Sequence, residues 1–181
     1  MGSYAGGLAL GGALFGATLH AAELRDGHHR AFLLDSQGVR VEIAEIEVKS
    51  GKYAIEMKSE KFTDHFLSMR PFKCLEGPEK TWCHVPYPYM IRRDVSKDLT
   101  DLEYDLLFLW KGATEYGIDM WNGVYYRLGV SDDGRIRGTL HEMDMNILSV
   151  PPDDGNMRPI REVDLEPGDA DSHWLPELVI E

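Results

Sequence analysis

Short runs of alternating apolar and polar residues recur along the middle of this chain, and residues typical of turns separate them. The clearest pair is GVYYRLGV at 123–130 and the run at 135–148, on either side of Ser131-Asp132-Asp133-Gly134. Asp-Gly provides the positive φ angles that tight hairpin turns require. A second hairpin is predicted around Ser36-Gln37-Gly38. Alternation with a period of two indicates strands with one buried face.

The spacing of these runs predicts the fold class. About eight short strands without strand–helix alternation are typical of an all-β fold, here an antiparallel barrel or sandwich, with a lipocalin-like barrel as one form. We assign residues 23–150 to this β domain and residues 151–181 to an irregular acidic C-terminal tail that packs on the body or trails from it. The tail holds nine acidic residues and two arginines, a net charge of −7 out of −12 for the chain.

Two segments carry mixed signals. The apolar residues of the predicted strand switch from one face to the other at Ile43-Ala44. This switch predicts a β-bulge or a sharp bend. Residues 100–112 fit a strand, with alternate apolar residues on one face, and also a helix in which Thr100 and Glu103 form a capping box. We favour a strand from Tyr104, because the neighbouring segments are β.

The first 22 residues predict the destination of the protein. Residues 1–22 contain no charged residue, are rich in Leu, Ala and Gly, and include Leu19-His20-Ala21, which fits a cleavage signature. We interpret them as a secretory leader of a periplasmic or secreted protein. They lack a basic start, so a glycine-rich N terminus of a cytosolic protein is the alternative. They are too glycine-rich for a membrane span, so we expect no stable span in the mature chain.

Cys74 and Cys83 are the two cysteines of the chain, and both lie in a proline- and aromatic-rich stretch at residues 65–93. The turn-prone Glu76-Gly77-Pro78-Glu79 lies between them, so a disulfide would join the two arms of a hairpin. Such a bond requires an oxidising compartment, and the prediction therefore depends on export. The alternative is a pair of separate buried thiols.

The same stretch also contains basic and aromatic side chains beside prolines. Prolines place such residues on edge strands or loops, where ligands often bind. We predict a rim for an anionic small molecule or for an envelope protein, while packing and ion pairing are the structural alternative. The rim consists of Arg70, Lys73, Trp82, Tyr87, Tyr89, Arg92 and Arg93.

Three further side chains suggest a minor alternative. His141, Met143 and Met145 would share one strand face and form a soft ligand set that suits Cu(I). The structural alternative is an inward face in which methionines fill gaps.

The function hypotheses belong to two classes. The first is an exported binding or accessory protein of the cell envelope. The second is a β-barrel hydrolase or isomerase that uses His65 or His141 with nearby carboxylates. No nucleotide-binding, hydrolase or metalloprotease motif occurs, so we predict no cofactor and lean away from an enzyme. A net charge of −12 argues against nucleic-acid binding.

Overall fold

The computed structural model describes residues 1–2, 24–66 and 71–181, which are mainly β-strands. The strands are β1 (Gly27–Leu34), β2 (Arg40–Lys49), β3 (Lys52–Met57), β4 (Thr63–Phe66), β5 (Pro71–Glu76), β6 (Lys80–His84), β7 (Phe108–Gly112), β8 (Gly123–Val130), β9 (Ile136–Met143), β10 (Glu166–Pro167) and β11 (Glu177–Ile180). In these ranges a single α-helix, α1 (Thr100–Asp105), precedes β7, and 3₁₀-helices cover Ser59–Lys61, Met145–Leu148, Glu162–Asp164 and Ala170–Ser172. Apart from its first two residues, the leader predicted at 1–22 lies outside the described residues.

The strands form one antiparallel sheet in the order β3-β2-β1-β11-β9-β8-β7-β6-β5-β4, with β10 paired to the end of β9. This confirms the all-β, barrel-like fold. The sheet has 11 strands rather than about eight. The difference arises because β4 and β10 are only four and two residues long, too short for a clear alternating pattern. In addition, β11 lies in the segment assigned to the tail.

The sheet curls into a half-barrel. Its two edge strands, β3 and β4, follow each other in the sequence and are joined by residues 58–62. An extended link of that length reaches about 20 Å at most, so the two edges cannot lie far apart at that end. Part of the outer edge of β3 is bonded: Tyr53 N–H donates to Arg93 O at 3.1 Å, and Val95 N–H donates to Gly51 O at 2.8 Å.

Two hydrophobic clusters lie on the two faces of the curled sheet. One cluster takes residues from strands along almost the whole sheet order and therefore fills the inside of the curl. It includes Trp82, Tyr126 and Leu178 together with Leu102 of α1 and Leu106, the C-cap residue of that helix. The other cluster covers the outer face of β5 to β9 and includes both cysteines.

The predicted bulge is confirmed in β2. Ala31 pairs with Ala44, but the next residue, Phe32, pairs with Glu42, so Ile43 is the extra residue. Both Ile43 and Ala44 are fully buried, which explains the switch in the apolar pattern.

The ambiguous segment at 100–112 contains both elements. Residues 100–105 are helical and the strand begins at Phe108, so the preference for a strand from Tyr104 is wrong for residues 104–107. The capping box is also wrong, because Leu99 rather than Thr100 is the N-cap. Instead, Asp98 Oδ1 accepts a hydrogen bond from Thr100 N–H at 3.0 Å. A helix of six residues is too short to show a clear 3.6-residue period beside a strand.

The predicted Cys74–Cys83 disulfide is present. The two residues are directly opposite each other on β5 and β6, and both are fully buried. The bond joins the arms of the hairpin that turns at Gly77-Pro78-Glu79.

The C-terminal segment consists of two different parts. Residues 151–176 are mostly irregular, with two 3₁₀-helices and β10. Residues 177–180 then form β11, which lies between β1 and β9 in the sheet. Leu178, Val179 and Ile180 are buried, so the chain end is part of the core.

We expect Leu178→Ala to lower the free energy of unfolding by about 2–5 kcal/mol, because the side chain is fully buried between β1 and β9. Val163→Ala, at a side chain that is 79% exposed, is the control and should change it by less than about 0.5 kcal/mol. Urea unfolding followed by circular dichroism measures both. Equal effects would show that β11 is not an integral strand.

We expect the double variant Cys74→Ala/Cys83→Ala to lose about 2–3 kcal/mol of stability, since the disulfide closes a short loop in the unfolded chain. Thiol titration of unfolded, unreduced protein made in an oxidising compartment should find no free thiol. Two titratable thiols would contradict the disulfide.

Candidate functional site

A cleft of about 310 Å³ lies where the segment before α1 faces the segment that follows Pro151-Pro152. We call it the Arg158 cleft. It is lined by Arg92, Asp94, Lys97, Asp98, Asp101, Gly155, Asn156, Met157 and Arg158. Its volume is at the lower end of the range typical of small-molecule sites.

The first wall of the cleft is fixed to the edge of the sheet. Lys52 Nζ lies 2.8 Å from Asp94 Oδ2, and the backbone of residues 93–95 bonds to that of Gly51 and Tyr53. Arg93 has a positive φ of 51°, a conformation that few non-glycine residues adopt. Its backbone therefore needs strong local contacts to hold it there.

Asp105, the last residue of α1, supplies those contacts. Arg93 donates from Nε and Nη2 to the two oxygens of Asp105, at 2.9 and 3.1 Å. Tyr53 donates its hydroxyl to Asp105 Oδ2 at 2.8 Å. The Asp105 side chain is 9% exposed, and burial followed by the charge of Asp105 raises the pKa of Tyr53. The guanidinium of Arg93 is therefore already engaged by a carboxylate.

The second wall is held by Arg158. Its Nε and Nη2 both lie 2.6 Å from Asp101 Oδ1, and its Nη1 contacts Asp98 at 3.0–3.1 Å. Asp101 Oδ2 also accepts the backbone N–H of Asp94 at 3.0 Å. Two buried or half-buried residues of the first wall thus fix the position of one arginine of the second.

The carboxylates of the cleft already accept hydrogen bonds from the protein. Hydrogen bonds from Lys52 and then Ser96 hold the pKa of Asp94 below its ordinary value. Partial burial raises the pKa of Asp98, but hydrogen bonds from Arg158 and Thr100 outweigh it, and the pKa is lowered. The three acceptor groups of the cleft therefore have donors of their own.

Two cations at the cleft are different. In the described ranges, Arg92 and Lys97 form no ion pair with a carboxylate, and both are exposed. The other arginine and lysine side chains around the cleft, Lys52, Arg93 and Arg158, each contact an aspartate. Arg92 and Lys97 can therefore bind an external anion without breaking an ion pair.

A second cleft, of about 390 Å³, adjoins the first, since Lys97 and Asp98 line both. Its wall contains Glu103, which accepts hydrogen bonds from the Tyr125 hydroxyl and from Leu128 N–H. Glu103 is 6% exposed, and burial raises its pKa. Both carboxylate oxygens have protein donors, so Glu103 is a structural acceptor.

The described residues of the predicted rim do not all lie on one surface. Trp82 is fully buried in the inner cluster. Tyr87 and Tyr89 donate to the backbone carbonyls of Met157 and Leu148, each at 3.0 Å. The remaining placements are Lys73 paired with Asp64 at 2.7 Å, Arg93 paired with Asp105, and Arg92 at the Arg158 cleft, while Arg70 lies outside the described residues.

The predicted histidine sites also have partners. His65 Nε2 lies 3.0 Å from Glu76 Oε1, and His141 Nδ1 lies 3.0 Å from Thr139 O. Met143 and Met145 are buried in the outer cluster. In the part of the chain that the structure describes, no group of three or more His, Cys, Asp and Glu residues could hold a metal ion.

The half-buried His84, the buried His173 and the second wall of the cleft could not be recognised from the sequence. Burial lowers the pKa of His84, whose Nε2 bonds to Asp105 O at 2.9 Å. Burial also lowers the pKa of His173, which contacts Glu142 and Lys80. Arg158 lies in an acidic stretch without periodicity. Nothing in the sequence therefore indicated that it pairs with Asp98 and Asp101.

The chain matches no protein-family model, no curated protein sequence and no solved structure. The described ranges contain no helix with the length and apolar character needed to cross a membrane. The cleft is therefore interpreted from its own geometry and charge.

We expect Asp105→Ala to destabilise the fold by about 2–3 kcal/mol, because the buried Tyr53 hydroxyl and the Arg93 guanidinium both lose their acceptor. Asp64→Ala, at an ion pair whose side chains are both about half exposed, is the control and should cost no more than about 1 kcal/mol. Thermal unfolding ranks the two variants. Equal losses would show that Asp105 does not anchor the first wall.

Proposed function

We propose that the protein is an exported binding protein of the cell envelope and that its Arg158 cleft holds a small anionic ligand. The observation that carries the proposal is the pair of cations, Arg92 and Lys97, that line the cleft without an ion pair among the described residues. A protein of net charge −12 has many carboxylates with which a cation could pair.

The charges that line the cleft support the binding of an anion. Three cations and three carboxylates line it, so its formal net charge is zero, whereas the chain as a whole is strongly acidic. All three carboxylates already accept hydrogen bonds from the protein. Arginine and lysine donors therefore remain for a ligand carboxylate or phosphate, and the arginine can bind it through two parallel hydrogen bonds.

Export is supported by the disulfide. Disulfides persist in oxidising compartments and are rare in the cytosol. Cys74 and Cys83 are bonded at the centre of a buried cluster, as expected for a structural disulfide. We therefore propose a periplasmic or extracellular location, where the ligand would be a small molecule or an acidic group presented by an envelope protein.

We expect wild-type protein to bind citrate or inorganic phosphate in isothermal titration calorimetry, and Arg92→Ala/Lys97→Ala to bind the same probe about tenfold more weakly, because charge-assisted hydrogen bonds are lost. The unfolding free energy should change by less than about 0.5 kcal/mol, since both side chains are exposed.

The control is Arg25→Ala/Lys49→Ala, which removes the same two side-chain types from exposed positions outside the cleft. It should bind as the wild type does. If the wild type binds neither probe, or if both double variants bind equally, the Arg158 cleft is not an anion site.

A further inference from the structure

The two aspartates that contact Arg158 differ in their surroundings. The Asp101 side chain is 2% exposed and accepts from Nε and Nη2, the inner part of the guanidinium. The Asp98 side chain is 47% exposed and contacts only Nη1. Asp101 is thus the buried anchor of Arg158, and Asp98 is an exposed carboxylate on the remaining nitrogen.

Asp98 occupies the Nη1 nitrogen of Arg158 at the lining of the cleft. Asp98 lines the cleft, and both of its oxygens lie 3.0–3.1 Å from Arg158 Nη1. A ligand that uses Arg92 and Lys97 has a third donor nearby, but Asp98 already occupies it. Because Asp101 binds Nε and Nη2 of Arg158, and Asp94 N–H in turn donates to Asp101, loss of the Asp98 contact would leave the arginine in place.

We infer that the ligand of the Arg158 cleft carries a carboxylate and that this carboxylate replaces Asp98 on Nη1 of Arg158. This inference rests on the function proposed above. Asp98 is an internal competitor: it imitates the ligand group and lowers the apparent affinity of the cleft. The chemistry of the competitor points to a planar carboxylate, which suits the planar guanidinium.

Displacement of Asp98 is inexpensive. Its side chain is about half exposed, so water can solvate it once it leaves Arg158. Exposed ion pairs of this kind contribute little to stability. A ligand that contacts all three cations of the cleft can therefore displace Asp98 from Arg158.

The experiment compares Asp98→Asn with Asp154→Asn. Asparagine keeps an oxygen for Thr100 N–H but removes the charge that holds Nη1. Asp154 is exposed next to Gly155 of the cleft wall and makes no ion pair with Arg158, so its variant removes the same charge nearby without the same contact. Citrate and inorganic phosphate are the probes, measured by calorimetry at one salt concentration.

We expect Asp98→Asn to bind citrate about fivefold more tightly than the wild type, and Asp154→Asn to bind it within about twofold of the wild type. The affinity of Asp98→Asn for phosphate should rise less than its affinity for citrate. Arg158→Lys, whose melting temperature must be checked because Asp101 is buried, should lose the gain when combined with Asp98→Asn.

Three outcomes contradict the inference. Equal affinities of Asp98→Asn and Asp154→Asn for citrate would show that Asp98 does not compete with the ligand. A larger gain for phosphate than for citrate would reject the carboxylate. In both cases the Arg92 and Lys97 test still stands by itself. If neither wild type nor Asp98→Asn binds a probe, the proposed function fails and this inference fails with it.

Discussion

The buried Asp105 carboxylate is the contact on which the rest of the site depends. It accepts two hydrogen bonds from Arg93 and one from Tyr53, and so joins α1, the segment before it and the edge strand β3. Without it, the positive φ of Arg93 would lack its main compensation. Among the described residues no further strand pairs with the outer edge of β3, and this network fixes the segment that covers part of that edge.

Helix α1 links the core to the cleft through its two kinds of side chain. Leu102 and the C-cap residue Leu106 pack in the inner cluster. Asp101 and Asp105, four residues apart, share another face of the helix and bind Arg158 and Arg93. A six-residue helix is too short to be stable alone, so its position follows from this burial and from the two arginines.

Local signals explain which features the sequence could predict. The bulge at Ile43, the Asp133-Gly134 hairpin and the Cys74–Cys83 pair each depend on residues that are close in the sequence or opposite in one hairpin. The position of β11 depends on pairing with β1, about 145 residues earlier, and no local pattern reports such a distant partner. The cleft could not be predicted from the sequence for the same reason, because Arg158 lies 57 residues from Asp101.

The charge of the chain shapes how an anion can reach the cleft. With a net charge of −12, the protein repels anions at long range. At physiological ionic strength, salt screens this repulsion beyond about 8 Å. Within hydrogen-bond distance screening is weak, and there the proposed ligand would meet Arg92 and Lys97. The contacts in the cleft would then determine its selectivity. Because Asp98 holds one of the available guanidinium nitrogens, only an anion that contacts several donors together would replace it.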